Sequence, residues 1–259
     1  MRRRALVSSV VAVCLAVAGL APALAQEAAE TGSLSVWPVE IYGCKYREGK
    51  GMADLDQAAV AFGAWMDASS QHDYWAYLLV PYYHSSEIDF DVLWAGGWRS
   101  GTAMGRSLER WVNEGGEVAA GFDAVVDCDT VTSFAVLNLT EDPKPPAAGP
   151  IAFSDCTVEE GKEFPEALAA MRKWVAYERE QGTADDHFVL FPAYGESSDA
   201  DYDFKWVTTS TWEDLGKGWD QYGNGGGWMK ARELFDGLLD CDSSRLYVER
   251  RVREQAPPE

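Results

Sequence analysis

Glu40 has the type and the position for acid/base chemistry. Glu40, Tyr42 and Cys44 alternate along a β-rich run, so a strand there places their side chains on one face. Val39 and Ile41 fall on the other face, which we expect to pack against helices, leaving Glu40 and Tyr42 to face a second structural unit. A carboxylate partly buried there would have a raised pKa and could act as a base. A structural hydrogen bond is the alternative interpretation.

Histidine is the other candidate for acid/base work, and the chain has three. His84 follows the run Pro81-Tyr82-Tyr83 and precedes two serines, and imidazole titrates in the physiological range. A solvated loop histidine without a role is the alternative. A haem or a two-histidine metal site needs an inward-facing histidine from a defined element, and neither His72 nor His187 is clearly placed in this way. We therefore predict no metal and no cofactor.

The chain is rich in aromatic residues, with 11 Trp, 11 Tyr and 10 Phe. Aromatic side chains line pockets for flat ligands, but they also fill hydrophobic cores. We predict that a small, aromatic molecule binds in an aromatic-lined cleft. The candidate ligand-binding residues are Tyr42, Tyr83, Trp94, Trp98, Tyr194, Trp206 and Trp212.

Acidic residues outnumber basic residues by 42 to 22, which gives a net charge of -20 at pH 7. Such a surface repels phosphate backbones and anionic lipid, so nucleic acid is not expected as a partner. The glycine cluster over residues 223–227 lacks the Gly-Lys-Ser/Thr ending of a phosphate loop. The sequence contains no Gly-x-Ser-x-Gly, His-Glu-x-x-His or calcium-loop pattern. The motifs therefore identify no class of enzyme.

Residues 1–25 have the pattern of a secretory signal peptide. A basic start precedes an apolar stretch from Ala5 to Leu20, and Ala23-Leu24-Ala25 has the small-residue pattern of a cleavage site. We expect cleavage near Ala25 and a periplasmic or secreted protein. No later stretch is long and apolar enough to span a membrane. A retained membrane anchor is the alternative.

The rest of the chain consists of two copies of one unit. Cys44 to Lys50, with the sequence CKYREGK, returns as Cys156 to Lys162, with the sequence CTVEEGK. Landmarks that keep the same order are Trp65 and Trp174, Pro81 and Pro192, Trp98 and Trp212, and Cys128 and Cys241. This order indicates a tandem duplication. The predicted segments are a signal peptide (1–25), a flexible leader (26–35), repeat 1 (36–140), a Pro-rich linker (141–150), repeat 2 (151–253) and a tail (254–259).

Four cysteines remain once Cys14 leaves with the signal peptide, and an exported protein normally pairs them. Four cysteines allow three pairings. The duplication favours a bridge within each copy, Cys44 with Cys128 and Cys156 with Cys241. A four-cysteine metal site is the alternative, but the sequence has no Cys-x-x-Cys.

Each copy is predicted to contain the elements β-α-β-β-α-β. Helical spacing predicts helices over 52–67 and 164–180, and further helices begin near Ser100 and Trp212, broken by glycines. Strands are predicted over 36–42, 74–80, 89–94 and 133–139, and over 151–154, 187–191, 202–207 and 244–252. This is the ferredoxin-like order, with strand order 4-1-3-2 and both helices on one face. The end of strand one then lies beside the start of strand four, where Cys44 and Cys128 fall, so the topology supports the proposed bridge.

The element order, together with Trp98-Arg99-Ser100 and Trp212-Glu213-Asp214 after the third strands, resembles the dimeric α/β-barrel superfamily and its antibiotic-biosynthesis-monooxygenase-type domains. The resemblance covers about residues 36–253. It implies an α+β fold, a tandem duplication of ferredoxin-like βαββαβ units forming a pseudo-dimeric α/β barrel. It also permits a cofactor-independent oxygenase, although this fold hosts unrelated functions.

Three functions are therefore open. The first is an exported small-molecule-binding protein, and the second is a cofactor-independent monooxygenase-like enzyme that uses His84 or Glu40. The third is an envelope protein-interaction module. A fused barrel covers its own sheet faces, so we expect a monomer.

Overall fold

The computed structural model describes residues 35–141, 143 and 148–255. The predicted signal peptide, nearly all of the leader, part of the linker and the end of the tail lie outside these described residues. Within the described ranges, no helix has the length and apolar character needed to cross a membrane.

The first copy folds in the predicted order, with its second helix in two pieces. Its strands are β1 (Val36–Tyr46), β2 (Tyr74–Tyr83), β3 (Val92–Trp98) and β4 (Val126–Asn138). Its helices are α1 (Met52–Ala68), α2 (Gly101–Glu114) and α3 (Gly116–Asp123). The hydroxyl of Ser100 caps α2 by accepting a hydrogen bond from the backbone N–H of Ala103.

The second copy repeats this order but divides its fourth strand. Its strands are β5 (Pro150–Val158), β6 (Asp186–Tyr194), β7 (Phe204–Thr209), β8 (Leu239–Cys241) and β9 (Arg245–Arg253). Its helices are α4 (Phe164–Glu180), α5 (Trp212–Gly223) and α6 (Gly227–Phe235). Strands β8 and β9 pair with successive parts of β5, so together they take the place of a single fourth strand.

Eight strands close into a barrel, and the short β8 extends one side of it. The order within the copies is β4-β1-β3-β2 and β9-β5-β7-β6, as predicted. Antiparallel pairing of β2 with β9 and of β4 with β6 joins the copies edge to edge. Each copy therefore covers the sheet edges of the other. The predicted pseudo-dimeric barrel of two ferredoxin-like units is confirmed.

Both predicted disulfides are present, Cys44–Cys128 and Cys156–Cys241. In each copy the two cysteines are register partners on paired strands. The bridges therefore lie where the strand order brings the end of the first strand beside the start of the fourth.

Hydrophobic side chains pack in three layers. One layer lies between the first copy's sheet and its helices, a second lies between the second copy's sheet and its helices, and the third fills the barrel interior. Val39 and Ile41 belong to the interior, whereas Glu40 and Tyr42 face the helices of their own copy. The orientation expected for β1 is therefore wrong. Both faces of this sheet are covered, so an apolar face does not have to be the helix face.

Trp98 and Trp212 occupy different places, although the sequence comparison paired them. Trp98 is the last residue of β3 and is buried, whereas Trp212 is the first residue of α5 and is 49% exposed. Thr211 caps α5 much as Ser100 caps α2, so the helices begin at similar points while the tryptophans do not correspond.

Candidate functional site

A pocket of about 340 Å³ lies between the first copy's sheet and its helices α1, α2 and α3. Small-molecule sites commonly have this size and an apolar lining with few polar groups. The aromatic residues that line it are Tyr42, Phe62, Trp65, Tyr74, Trp94, Trp98, Trp111 and Phe122. The carboxyl group of Glu40 lies among them, on the sheet side.

Gly96 in β3 lets the side chain of Tyr74, from β2, reach across β3 to Glu40 of β1. Gly96 stands between Glu40 of β1 and Ala76 of β2 in the register of the sheet. A Cβ atom at Gly96 would lie 1.8 Å from the hydroxyl oxygen of Tyr74. The missing side chain thus leaves the space in which the ring of Tyr74 crosses β3.

Two phenols hold the carboxyl group of Glu40. The hydroxyl of Tyr74 donates to Glu40 Oε1 at 2.8 Å, and that of Tyr42 donates to Oε2 at 3.1 Å. The Nε1–H of Trp94 donates to the Tyr74 hydroxyl at 2.8 Å, which leaves the Tyr74 proton directed at Glu40. Each carboxylate oxygen has two lone pairs, so Glu40 keeps acceptor capacity for a ligand.

Burial controls the protonation of this group. Burial raises the pKa of Glu40 from 4.5 to about 7, and the hydrogen bonds from Tyr74 and Tyr42 oppose part of that rise. Burial and the neighbouring Glu40 raise the pKa of both Tyr42 and Tyr74, so the phenols stay protonated at neutral pH. Near pH 7 the carboxyl group is therefore divided between its acid and its carboxylate forms, which suits proton exchange with a ligand.

Aromatic rings in mostly edge-on contact form the walls of the pocket. Phe62 of α1 lies at the centre, with ring centroids 5.2 to 6.3 Å from those of its neighbours. Those neighbours are Trp65, Tyr74, Trp94, Trp111 and Phe122. Edge-to-face packing is the favoured arrangement of such rings, and it fixes the shape that a flat ligand would meet.

The structure brings together part of the predicted site. Glu40, Tyr42, Trp94 and Trp98 all line this one pocket. Register explains the first three, because Tyr42 of β1 stands opposite Trp94 of β3 and Glu40 lies two residues away on the same face.

The other candidates lie elsewhere. Trp206 faces the helices of the second copy. Tyr83, Tyr194 and Trp212 are exposed on the surface, and His84 lies in an exposed loop after β2. None of these five belongs to the residues that line the first-copy pocket.

Sequence reasoning missed Tyr74, Phe62 and Gly96. The first two occur in a strand and a helix rich in apolar residues, where aromatic side chains are typical of core. The signal that could have found Gly96 is a pair of glycines inside the β3 run, because glycine within a strand marks a close approach.

The second copy has different chemistry at the corresponding positions. Ala152 and Ser154 follow the spacing of Glu40 and Tyr42 from the first cysteine of each copy. The carboxyl–phenol arrangement therefore belongs to the first copy alone, among the residues that the structure describes.

A carboxylate–histidine cluster lies on the helix side of the second sheet. Ligand atoms of Glu178, Asp185 and His187 lie within 4.8 Å of one another. The indole N–H of Trp206, which can only donate, is 3.1 Å from Nδ1 of His187, so that nitrogen accepts. Nε2 of His187 lies 2.8 Å from Glu178 Oε2. Both ring nitrogens have protein neighbours, which fits a core histidine better than a metal ligand.

Comparison with known proteins supports the fold. A scan against protein-family models finds no match, and a search of curated proteins finds none either. Among solved structures, the chain is similar to the chlorite dismutase-like protein TA0507, with a TM-score of 0.51 and 12% identity over 85% of this chain and 96% of that one. A double mutant of chlorite dismutase from Candidatus Nitrospira defluvii has a TM-score of 0.50 and 7% identity, over 83% of this chain and 92% of that one.

A haem-binding protein from Thermus thermophilus is also similar, with a TM-score of 0.49 and 12% identity, over 83% of this chain and 92% of that one. At these identities a likeness shows fold and not activity. The chain thus has the dimeric α/β-barrel fold of the two chlorite dismutase structures, with both ferredoxin-like halves in one polypeptide.

Proposed function

We propose that this chain is an exported protein that binds a small aromatic molecule in the pocket of its first copy. One observation carries the proposal: the carboxyl group of Glu40 is held by two phenols inside a pocket whose other lining residues are mostly aromatic and apolar. A few convergent polar groups in an apolar pocket are typical of ligand sites. The predicted signal peptide and the paired cysteines support export.

The polar groups define the class of ligand. Glu40 accepts hydrogen bonds, and the hydroxyls of Tyr42 and Tyr74 are already directed at it. A ligand with an aromatic body and one N–H or O–H donor would bond to the remaining acceptor sites of the carboxyl group. Phenols and N–H heteroaromatics have this form.

A haem, which one structural neighbour binds according to its description, does not fit the described residues. Axial haem ligands are His, Cys, Met or Tyr. His72 and His84 are exposed, and His187 has protein neighbours at both ring nitrogens. The four cysteines outside the predicted signal peptide form disulfides.

The residues that line the first-copy pocket do not supply an axial haem ligand either. Burial and Glu40 raise the pKa of Tyr42 and Tyr74, which opposes the phenolate form that ligates iron. Met66 lines the pocket, but methionine ligates haem together with histidine, and no histidine lines this pocket among the described residues. We therefore derive no chemistry through haem.

Isothermal titration with indole and 1-methylindole tests the proposal, because the two probes differ in one N–H group. Wild-type protein should bind indole about tenfold or more tightly than 1-methylindole, since a hydrogen bond to a charged group contributes about 1.5–3 kcal/mol. Glu40→Leu should abolish this preference. Glu249→Gln, which alters a buried carboxyl group on β9 inside the barrel, is the matched control and should retain it.

Circular dichroism of each variant checks that the barrel is intact. Equal affinity of the wild type for both probes would show that Glu40 does not select the ligand. If neither probe binds at millimolar concentration, the proposal that the pocket binds N–H heteroaromatic molecules is contradicted.

The protonation of Glu40 favours a second candidate function, that of a cofactor-independent oxygenase-like enzyme. A carboxyl group whose pKa is about 7 is well matched to accepting a proton from a bound substrate at neutral pH. Removal of a proton from a hydroxylated aromatic gives an anion that dioxygen can oxidise. Glu40 would act as the base in that step, beside the phenols of Tyr42 and Tyr74.

Oxygen consumption with 1-naphthol tests this candidate, because one oxygen atom of dioxygen enters the ring to give 1,4-naphthoquinone and the other leaves as water with the two hydrogens that the naphthol loses. Wild type should exceed the uncatalysed rate, with activity that rises through about pH 7. Glu40→Gln should return the rate to background, and His84→Ala, in an exposed loop, should leave it unchanged. Equal rates for wild type and Glu40→Gln would argue against an enzymatic role of Glu40.

A further inference from the structure

The barrel interior contains a second cavity of about 640 Å³, which is separate from the first-copy pocket that Glu40 lines. It lies at the end of the barrel where β1, β2, β5 and β6 begin and where β4, β7 and β9 end. Both copies contribute to its lining. The cavity therefore exists only because the two halves close into one barrel.

Three buried oxygen atoms in this cavity have no hydrogen-bond partner among the described residues. They are Oε2 of Glu249, Oδ1 of Asn138 and Oγ1 of Thr209, and all three residues line the cavity. Glu249 is only 4% exposed and Thr209 only 5%. Buried polar atoms are normally paired, because an unmade hydrogen bond is costly in a dry interior. Three such oxygens around one cavity indicate that something else supplies hydrogens there. Residues that line the cavity also hold three buried donors without a hydrogen-bond partner among the described residues, Nε1 of Trp98, Nε of Arg99 and Nε of Arg253.

The nearby guanidinium groups are engaged with other carboxylates. Arg251 lies 3.2 Å from Glu254, Arg253 lies 2.7 Å from Asp67 of α1, and Arg99, which also lines the cavity, lies 3.7 Å from Asp73. Burial raises the pKa of Glu249 to about 8, and no cation opposes this rise. Tyr77 and Glu254 are further titratable groups that line the cavity, and burial, followed by the charge of Glu249, raises the pKa of the Tyr77 phenol. Glu249 is thus a carboxyl group without its counter-ion.

Aromatic rings surround the same space. Trp37 packs edge-on against Phe188, and Trp75 packs edge-on against Tyr77. All four line the cavity. A Cβ atom at Gly97 would lie 2.5 Å from Trp75, so glycine again makes room for an aromatic ring. The π-faces of Trp and Tyr attract cations, particularly where water is excluded.

The geometry points to a second binding site in the barrel interior, for an organic ammonium ion with an apolar body. An ammonium group offers hydrogen-bond donors and no acceptors, which matches the three unpartnered oxygens. Its charge complements Glu249 and the aromatic walls. The net charge of -20 also raises the local concentration of cations. This site is independent of the proposed function of the first-copy pocket.

Titration calorimetry with 2-phenylethylamine and its neutral analogue 2-phenylethanol tests the inference. Wild type should bind the amine at least tenfold more tightly than the alcohol. Glu249→Gln keeps the shape of the side chain and should weaken amine binding at least tenfold. Glu40→Gln removes the buried carboxyl group of the other pocket, so it is the matched control and should keep the preference for the amine over the alcohol.

Proton linkage gives a second readout that does not depend on loss of binding. At pH 7 the free site holds Glu249 mostly protonated, and a bound ammonium ion favours the carboxylate, so binding should release close to one proton. Titrations in phosphate and in Tris, whose ionisation enthalpies differ, measure that number. The release should vanish in Glu249→Gln.

Three results would overturn the inference. One is equal affinity for the amine and the alcohol. Another is loss of amine binding in Glu40→Gln with retention of amine binding in Glu249→Gln, which would place the amine in the first-copy pocket. The last is no binding of the amine by wild type at millimolar concentration.

Discussion

Replacing Glu40 by glutamine should change how the stability of the protein depends on pH. Glutamine keeps one oxygen, which can accept the hydrogen bond from Tyr74, and places an N–H₂ donor where the other oxygen accepts from Tyr42. It therefore resembles the protonated carboxyl group, which also has one acceptor oxygen and one donor, but it cannot ionise. The substitution therefore tests the buried charge with little change in packing.

The direction in which stability changes with pH follows from the pKa of the Glu40 carboxyl group in the folded and in the unfolded protein. The pKa of Glu40 is about 7 in the folded protein and 4.5 as its ordinary value, so the folded state binds the proton more tightly than the unfolded chain. This contribution to stability is fully present below pH 4.5 and is lost as the pH rises through about 7. Wild type should lose about 2–3 kcal/mol from this one group between pH 5 and pH 8.5, since one pKa unit corresponds to about 1.4 kcal/mol.

The assay is urea unfolding at pH 5 and pH 8.5, followed by tryptophan fluorescence with the disulfides intact. At pH 5 the wild type and Glu40→Gln should have free energies of unfolding within about 1 kcal/mol of each other, because both side chains are neutral there. At pH 8.5 the variant should be more stable by about 2–3 kcal/mol. Exposed Glu117→Gln on α3 makes the same charge change and should show no such dependence on pH.

One result would refute the reasoning. If the difference between wild type and Glu40→Gln is the same at both pH values, the carboxyl group is not desolvated in the folded protein. The pocket would then be wetter than its aromatic lining indicates, and the role of Glu40 as a base near neutral pH would lose its support.

Two further predictions concern the scaffold. Replacing Cys44 and Cys128 together by serine should lower the free energy of unfolding by about 3–5 kcal/mol, because the bridge closes a long loop in the unfolded chain; its cysteines are 84 residues apart. A loss below about 1 kcal/mol in urea titrations would contradict this. The protein should be a monomer in size-exclusion chromatography with light scattering, because β2–β9 and β4–β6 pairing already joins the sheet edges. A stable dimer would contradict that expectation.

The amino-acid sequence alone determined the repeat, the order of the elements and the pairing of the cysteines. The helix over Phe164–Glu180 matches its prediction at both ends, since apolar spacing and a proline near its start are local signals. The disulfides followed from the duplication and the strand order, because a bridge within each copy needs no knowledge of how the copies meet.

Only the tertiary structure decided which face of each strand points inward. Alternation in β1 shows that Glu40 and Ile41 lie on opposite faces, but both faces of a helix-covered barrel are buried, so composition does not distinguish them. The edge pairings that close the barrel place Ile41 inside and Glu40 under the helices. They also bring Glu249 from the last strand beside aromatic residues of the first copy, a contact between residues far apart in sequence that no local pattern encodes.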